Sequence, residues 1–408
     1  MTGRARSTTA RVIPLAVGAV LFLASCASGD NAPQDSLQPE SPQARTIYNL
    51  IMPVFAVAGI VFFLVLFGAI YVGWRFRAKD DEDFAEFPEQ VHGNFKLEIG
   101  WTILPALVLG VVGIFTVITI FDLAKKPADD AITVEVIGQQ WWWEYRYDID
   151  NDGVADEIIT ANDMVVPTGR DIALKIQSRD VIHSWWAPRL HGKKDAVPGR
   201  IHPLTIHTDE TGEYIGQCTE FCGLSHAEMR IKVVSVTPEE FDAWVEAQMA
   251  PVVNPQDEAA IQGWSTFAST CTSCHHVRGM TDPASVDGDA SPSTATAEFD
   301  YPDLINQVAG AAPDLTHFMS RSTFAGAMFD LRKDTDECNA LGHTWASTEE
   351  GIEKCLNRTD LEAWLRDAPG MKAMYAGETM SPDSRGMPNF NLSEDQINDL
   401  VAFLITLQ

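Results

Sequence analysis

Gln217-Cys218-Thr219-Glu220-Phe221-Cys222-Gly223-Leu224-Ser225-His226-Ala227-Glu228-Met229 is the stretch on which the reading of this chain turns. It sets Cys218, Cys222, His226 and Met229 in one short loop, and a second histidine, His183 in Asp180-Val181-Ile182-His183-Ser184-Trp185-Trp186, lies upstream. Thiolate, imidazole and thioether are soft and borderline ligands that suit copper better than the tetrahedral set of a structural zinc. A distant His joined to a compact Cys/His/Met loop is how a β-sandwich gathers copper ligands from two edges. On the residues alone, a Cys218–Cys222 disulfide, a zinc site with the two histidines and a plain core role for Met229 stay open.

The flanks of the loop alternate with a period of two. Ile132-Thr133-Val134-Glu135-Val136, Ile172-Ala173-Leu174-Lys175-Ile176 and Ile231-Lys232-Val233-Val234 predict strands of an antiparallel sandwich. Thr237-Pro238-Glu239-Glu240 is a capping box with proline at the first helical position, and it opens a helix to about Met249. The domain is expected over 128–249 and is similar to a cupredoxin. Gln139-Gln140-Trp141-Trp142-Trp143-Glu144-Tyr145 is its densest aromatic run, read in part as strand and core. Asp148-Ile149-Asp150-Asn151-Asp152-Gly153 opens like a calcium loop, but Ile159 stands where a bidentate Glu is needed and no helices flank it. An acidic hairpin turn is the better reading.

Toward the N-terminus the pattern becomes apolar. Segments 47–74 and 97–122 are each long enough to cross a bilayer, with Trp74 and Trp101 as interfacial aromatics. Arg75, Arg77 and Lys79 place the connecting loop, 75–96, in the cytoplasm, so both outer ends of the hairpin lie outside. Residues 1–25 join Arg4, Arg6 and Arg11 to a short apolar run, as in a signal peptide. Leu23-Ala24-Ser25-Cys26 resembles a bacterial lipobox and implies lipidation of Cys26. The Ser- and Pro-rich segment 26–46 reads as a flexible tether.

Beyond Pro251–Pro255 a third domain is expected over 256–408. Cys271-Thr272-Ser273-Cys274-His275 is a C-x-x-C-H haem-attachment motif, with thioethers at Cys271 and Cys274 and His275 on iron. A downstream Met is the expected sixth ligand. Gly386-Met387-Pro388 before a capped terminal helix resembles the Met-Pro loop of a class I cytochrome c and selects Met387, ahead of Met380 and His317. Cys338 and Cys355 read as a disulfide stapling an inserted loop.

The chain has 408 residues, too many for one ordinary domain, and its 57 acidic against 29 basic residues give a net charge of −28. That charge argues against a nucleic-acid partner and favours a basic protein. The fold class expected is a multidomain membrane protein: a two-helix transmembrane hairpin, an all-β cupredoxin-like sandwich and an all-α cytochrome c domain.

The Cys218–Met229 loop, together with Leu97-Glu98-Ile99-Gly100-Trp101-Thr102-Ile103-Leu104-Pro105, resembles subunit II of cytochrome c oxidase, here with a cytochrome c fused at its C-terminus. The resemblance implies a binuclear copper centre, CuA, bridged by Cys218 and Cys222, with His183 and His226 each on one copper. Met229 and the Glu220 carbonyl are then the weak ligands. It also implies that Trp141 is an exposed aromatic next to the copper that accepts electrons, that Glu98 opens a proton pathway into subunit I, and that the Glu220 carboxylate reaches a magnesium ion shared with that subunit. Electrons are expected to run from haem c to CuA and on to subunit I, which reduces oxygen to water and pumps protons. Implied partners are subunit I, subunit III, a quinol:cytochrome c reductase or soluble cytochrome c upstream, and the lipid of the bacterial plasma membrane, with the copper and haem domains outside the cytoplasm. A copper-handling assembly lipoprotein and the CuA subunit of a nitric oxide reductase are the alternatives.

Overall fold

The computed structural model describes residues 32–77, 92–155, 157–280, 312–374 and 385–408. The expected signal peptide, Cys26 and Met380 lie outside the described residues, as does most of the loop 75–96.

Two long helices come first. In α1 (Pro42–Arg75), Ser41 caps the Ala44 amide and Pro42 takes the first turn, where no intrahelical N–H is needed. In α2 (Phe95–Leu123), the Asn94 side chain accepts from Lys96 and Leu97. The helices pack on each other and expose Phe62, Leu64, Phe67, Leu104, Leu109 and Phe121. Both are long and apolar enough to cross a membrane.

The 34 residues of α1 span about 51 Å, well beyond the ~30 Å hydrocarbon of a bilayer. The surplus lies at the Ser41 end, which corrects the expected flexible tether. Ala44 is buried, Ser41 donates to the Leu190 carbonyl, and Arg45 pairs with Asp209. The Glu40 amide donates to the Arg189 carbonyl at 2.9 Å and the Arg189 guanidinium returns to Glu40. Those contacts hold residues 38–45 on the sandwich, because Ser41 starts a helix earlier than hydropathy alone suggests.

The sandwich holds β1 (Ile132–Gln139), β2 (Trp142–Asp148), β3 (Ile158–Ala161), β4 (Asp163–Pro167), β5 (Ile172–Ser178), β6 (His183–Trp186), β7 (Lys194–Ala196), β8 (His202–Ile206), β9 (Gly212–Cys218) and β10 (Arg230–Val236). One sheet runs β3-β2-β1-β5-β8 and the other β4-β10-β9-β6-β7. The expected antiparallel arrangement is corrected in two places. β1 pairs with β5 in parallel, Val134 opposite Leu174, and β10 pairs with β4 in parallel, Val234 opposite Val165. Between each parallel pair the chain crosses to the other sheet, a route that alternation of side chains does not reveal. Along β5, Ile172, Leu174 and Ile176 point inward as the period of two requires. Helix α3 (Pro238–Met249) has its Thr237–Glu240 capping box and closes the core with Trp244, whose ring lies 5.2 Å from Tyr147.

The C-terminal part contains α4 (Glu258–Thr270), α5 (Asp336–Ala340), α6 (Glu349–Cys355), α7 (Arg358–Met371) and α8 (Glu394–Ile405). It is mainly helical, with one two-residue hairpin, β11 (Thr323–Phe324) and β12 (Phe329–Asp330), as an exception to the all-α expectation. Helices α4 and α8 cross at Gly263, where a Cβ would stand 1.9 Å from the Asp399 carbonyl oxygen, so only glycine permits this approach. Trp264, Phe267 and Phe403 cluster around the crossing. Cys338 and Cys355 form a disulfide between α5 and α6.

The C-terminal part is locked to the sandwich. The buried Asp163 carboxylate accepts from the amides and hydroxyls of both Ser322 and Thr323. Glu213 pairs with Arg332 at 2.9 Å and with Lys232 at 2.7 Å, and both cations are nearly buried.

Candidate metal centre

The soft donors converge at one end of one sheet. Strands β6 and β9 are neighbours with Trp185 opposite Cys218, which brings His183 to within 4.0 Å of the Cys218 sulfur through Nδ1. The two sites of origin are thus adjacent strands, not the separate edges expected from sequence. The loop from Cys218 to Met229 then folds back: Cys218 Sγ and Cys222 Sγ are 3.8 Å apart, and Cys222 Sγ is 3.5 Å from His226 Nδ1 and 3.9 Å from Met229 Sδ. The Glu220 carbonyl oxygen stands 3.3 Å from Cys218 Sγ. Both cysteines are free thiols and buried, which removes the disulfide reading. Met229 is fully buried among these donors, so it belongs to core and site alike.

The surrounding shell fixes the donors. Asp180 holds His183 Nε2 at 2.8 Å and thereby turns Nδ1 to the sulfurs, the orienting role of a carboxylate behind a ligating imidazole. The same carboxylate accepts from the Gln140 amide at 2.7 Å. Gln140 Nε2 and Trp141 Nε1 both donate to the Cys222 carbonyl, at 2.6 and 3.1 Å. Gly223, at φ +112°, leaves room for those two side chains, since a Cβ there would approach Gln140 Nε2 to 2.9 Å.

Chemistry agrees with geometry. Contact with Cys222, ahead of His183 and two backbone amides, lowers the Cys218 thiol to about 4, while Cys218 and burial push Cys222 far up. Two thiolates this close cannot both ionise unless a cation lies between them. Two soft sulfurs, two imidazole nitrogens, a thioether and a carbonyl form a set that fits copper and lacks the four-ligand closure of structural zinc.

Trp141 departs from expectation. It is 3% exposed, not a surface aromatic, because the C-terminal part lies over it. Lys372 reaches down from the end of α7 and donates to the Trp141 carbonyl at 2.9 Å and the Ala325 carbonyl at 2.8 Å. Ser225 donates to the Ala373 carbonyl, and the Arg230 amide to the Gly326 carbonyl at 2.9 Å. Burial pulls the Lys372 ammonium down to about 7.

The Cys271–His275 motif sits at the end of α4. Cys271 and Cys274 are free, half-buried thiols, and burial raises Cys271 to about 12. His275 donates Nδ1–H to the Pro313 carbonyl at 2.8 Å, which assigns the tautomer and leaves the Nε2 lone pair outside that bond. These groups suit covalent attachment and axial ligation of a haem. Met387 packs against the same hydrophobic cluster as Cys271 and Phe267. His317 is buried, its Nδ1 held by the Gln408 carbonyl at 2.6 Å and its Nε2 without a partner.

Glu98 lies in the first turn of α2, where its carboxylate accepts from the Asn94 amide at 3.2 Å. Glu220 is exposed, next to Phe221 at 78% exposure. Asp180, Gln140, Pro313 and Lys372 act at these sites without having been found in the sequence. Asp180, three residues before His183, was the one with a usable signal.

Residues 148–236 match the family described as cytochrome c oxidase subunit II, periplasmic domain, and residues 32–118 match its transmembrane domain. The chain is 31% identical to cytochrome c oxidase subunit 2 of Alkalihalophilus pseudofirmus over 98% of each chain. It is 29% identical to that of Bacillus sp. PS3 over 91% of each. A solved periplasmic domain of subunit II of cytochrome oxidase from Bradyrhizobium japonicum is 31% identical, covers 30% of this chain and 95% of its own, and has a TM-score of 0.28.

Proposed function

The chain belongs to the cytochrome c oxidase subunit II family, and we propose that it carries electrons from its own haem c to CuA and on to subunit I of a proton-pumping oxidase. Membership makes it a subunit of the oxidase, with subunit I as partner and a CuA centre in the sandwich. The observation that carries the finer reading is the convergence of His183, Cys218, Cys222, His226 and Met229 at contact distance.

Those five side chains and the Glu220 carbonyl would hold the two coppers; Cys271, Cys274, His275 and Met387 would hold the haem. Copper and haem, when bound, supply one-electron redox centres. The residues of the chain do the rest. Asp180 sets the His183 tautomer and angle. Trp141 joins the Cys222 carbonyl to the face on which the haem domain rests, and its burial keeps water out of that junction. Asp163, Glu213 and Lys372 hold the two domains in register, so fusion supplies a docked donor in place of a diffusing one.

On the other side of the loop, exposed Phe221 and the Glu220 carboxylate form the face for subunit I and a shared magnesium ion, a hard cation suited to that oxygen. Glu98 opens the proton pathway at the cytoplasmic mouth of α2. The hairpin lies in the bacterial plasma membrane with both ends outside. Subunit III and an upstream quinol:cytochrome c reductase complete the assembly.

Purification of the complex through this chain tests the reading. Cyanide-sensitive oxygen consumption with a reductant of c-type haem is expected. Nitric oxide reduction without oxygen consumption contradicts it.

A further inference from the structure

The turn between β2 and β3 has no part in the electron path. Its sequence, Asp148-Ile149-Asp150-Asn151-Asp152-Gly153, lacks a carboxylate at position 159 and is flanked by strands, so it is no helix–loop–helix calcium site. The structure nonetheless draws four carboxylates together. One oxygen each from Asp148, Asp150, Asp152 and Glu157 lies within 4.8 Å of the others. Glu157, two residues before position 159, closes the group because the hairpin turns back sooner than a helical loop would.

Carboxylates crowd together on many surfaces without an ion. Asp148 adds a separate sign. It is 3% exposed; its Oδ2 accepts from the Gly153 amide at 3.1 Å, while its Oδ1 is buried with no hydrogen-bond partner. A buried carboxylate with one oxygen shut away from water and without a donor, grouped with three further carboxylates, is a site short of positive charge. The remaining groups keep capacity free: Asp150 and Asp152 each use Oδ1 for a backbone amide, and Glu157 uses Oε2 for the Ile149 amide at 3.2 Å.

We propose that Asp148, Asp150, Asp152 and Glu157 bind one calcium ion. An all-oxygen, carboxylate-rich set on a turn suits a hard cation with high and adaptable coordination. Magnesium demands a tighter octahedron and keeps more of its water, and copper or zinc would look for nitrogen or sulfur, which this group lacks. The ion has a structural consequence. Arg278, close after the haem-attachment motif, donates to the Glu157 carbonyl at 2.9 Å. Calcium on the Glu157 carboxylate fixes that carbonyl and so steadies the seat of the haem domain.

The test uses the full chain in detergent, loaded with copper and haem, stripped with chelator and titrated calorimetrically with calcium chloride and with magnesium chloride. One calcium per chain is expected, bound in the 10⁻⁵–10⁻³ M range, with magnesium about tenfold weaker or more. Asp150 and Asp152 are exposed, so Asp150→Asn/Asp152→Asn leaves the fold intact and should weaken calcium about tenfold or more. Glu157→Gln removes a ligand from outside the Asp run and should do the same, while Glu220→Gln should not. Absence of calcium binding up to about 10 mM, magnesium binding as tight as calcium, or calcium binding that survives both cluster variants would each overturn the assignment.

Discussion

Trp141 is bonded at both ends across the boundary between two domains: its indole Nε1 donates to the Cys222 carbonyl at 3.1 Å, and its own carbonyl accepts from Lys372 at 2.9 Å. One residue thus touches the backbone of Cys222 on one side and the C-terminal helical part on the other. Trp141→Leu should keep copper and haem content while slowing electron transfer from haem to copper by about tenfold or more, equivalent to ~1.4 kcal/mol of barrier. Flash reduction followed at the haem and copper bands measures it. An unchanged rate would remove Trp141 from the route.

Asp180 serves two masters, His183 Nε2 and the Gln140 amide. Asp180→Asn keeps the size but lets the imidazole choose either tautomer. Copper affinity should fall about 10- to 100-fold, the usual cost of losing such an outer partner. Competition with a chromogenic copper chelator reads this directly.

Lys372 makes the domain contact depend on pH. Its folded value of about 7 lies below the ordinary 10.5, so the unfolded chain binds more protons between those limits. Stability therefore rises with pH across that window, by at most about 1.4 kcal/mol per unit from this group, and the burial penalty is complete below it. The urea-unfolding free energy of wild type minus that of Lys372→Met should rise from pH 7 to pH 10. A constant difference would mean that the ammonium is not desolvated.

Gly263→Ala should destabilise the haem domain by about 1–3 kcal/mol or prevent its folding, because the new Cβ meets the Asp399 carbonyl and the Phe403 side chain. Thermal unfolding followed at the haem band, beside the copper band as an internal control, separates this from damage to the sandwich.

What the sequence showed and hid follows from the range of the interactions. The donor loop was legible because its chemistry is local: Cys218, Cys222, His226 and Met229 need only one turn of chain to meet. The membrane helices were legible from apolar length alone. Burial of Trp141 was not, since the cover comes from Lys372 and the turn around Gly326, far along the chain. The docked 38–45 segment was hidden for the same reason, as Arg189 and Asp209 lie in the sandwich. The parallel pairings of β1 with β5 and β4 with β10 leave the period of two unchanged, so alternation cannot announce them. The carboxylate cluster does not show in the sequence because a hairpin brings Glu157 in two residues before the place a helical loop would use.

The central claim is that Cys218 and Cys222, with His183 and His226, hold two coppers as one unit. Electron paramagnetic resonance of the copper- and haem-loaded full chain tests it most directly. A signal of one unpaired electron shared equally by two coppers is expected, beside a low-spin haem, and it should be lost in Cys222→Ser. A mononuclear copper signal, or none from folded protein with its haem in place, would contradict it.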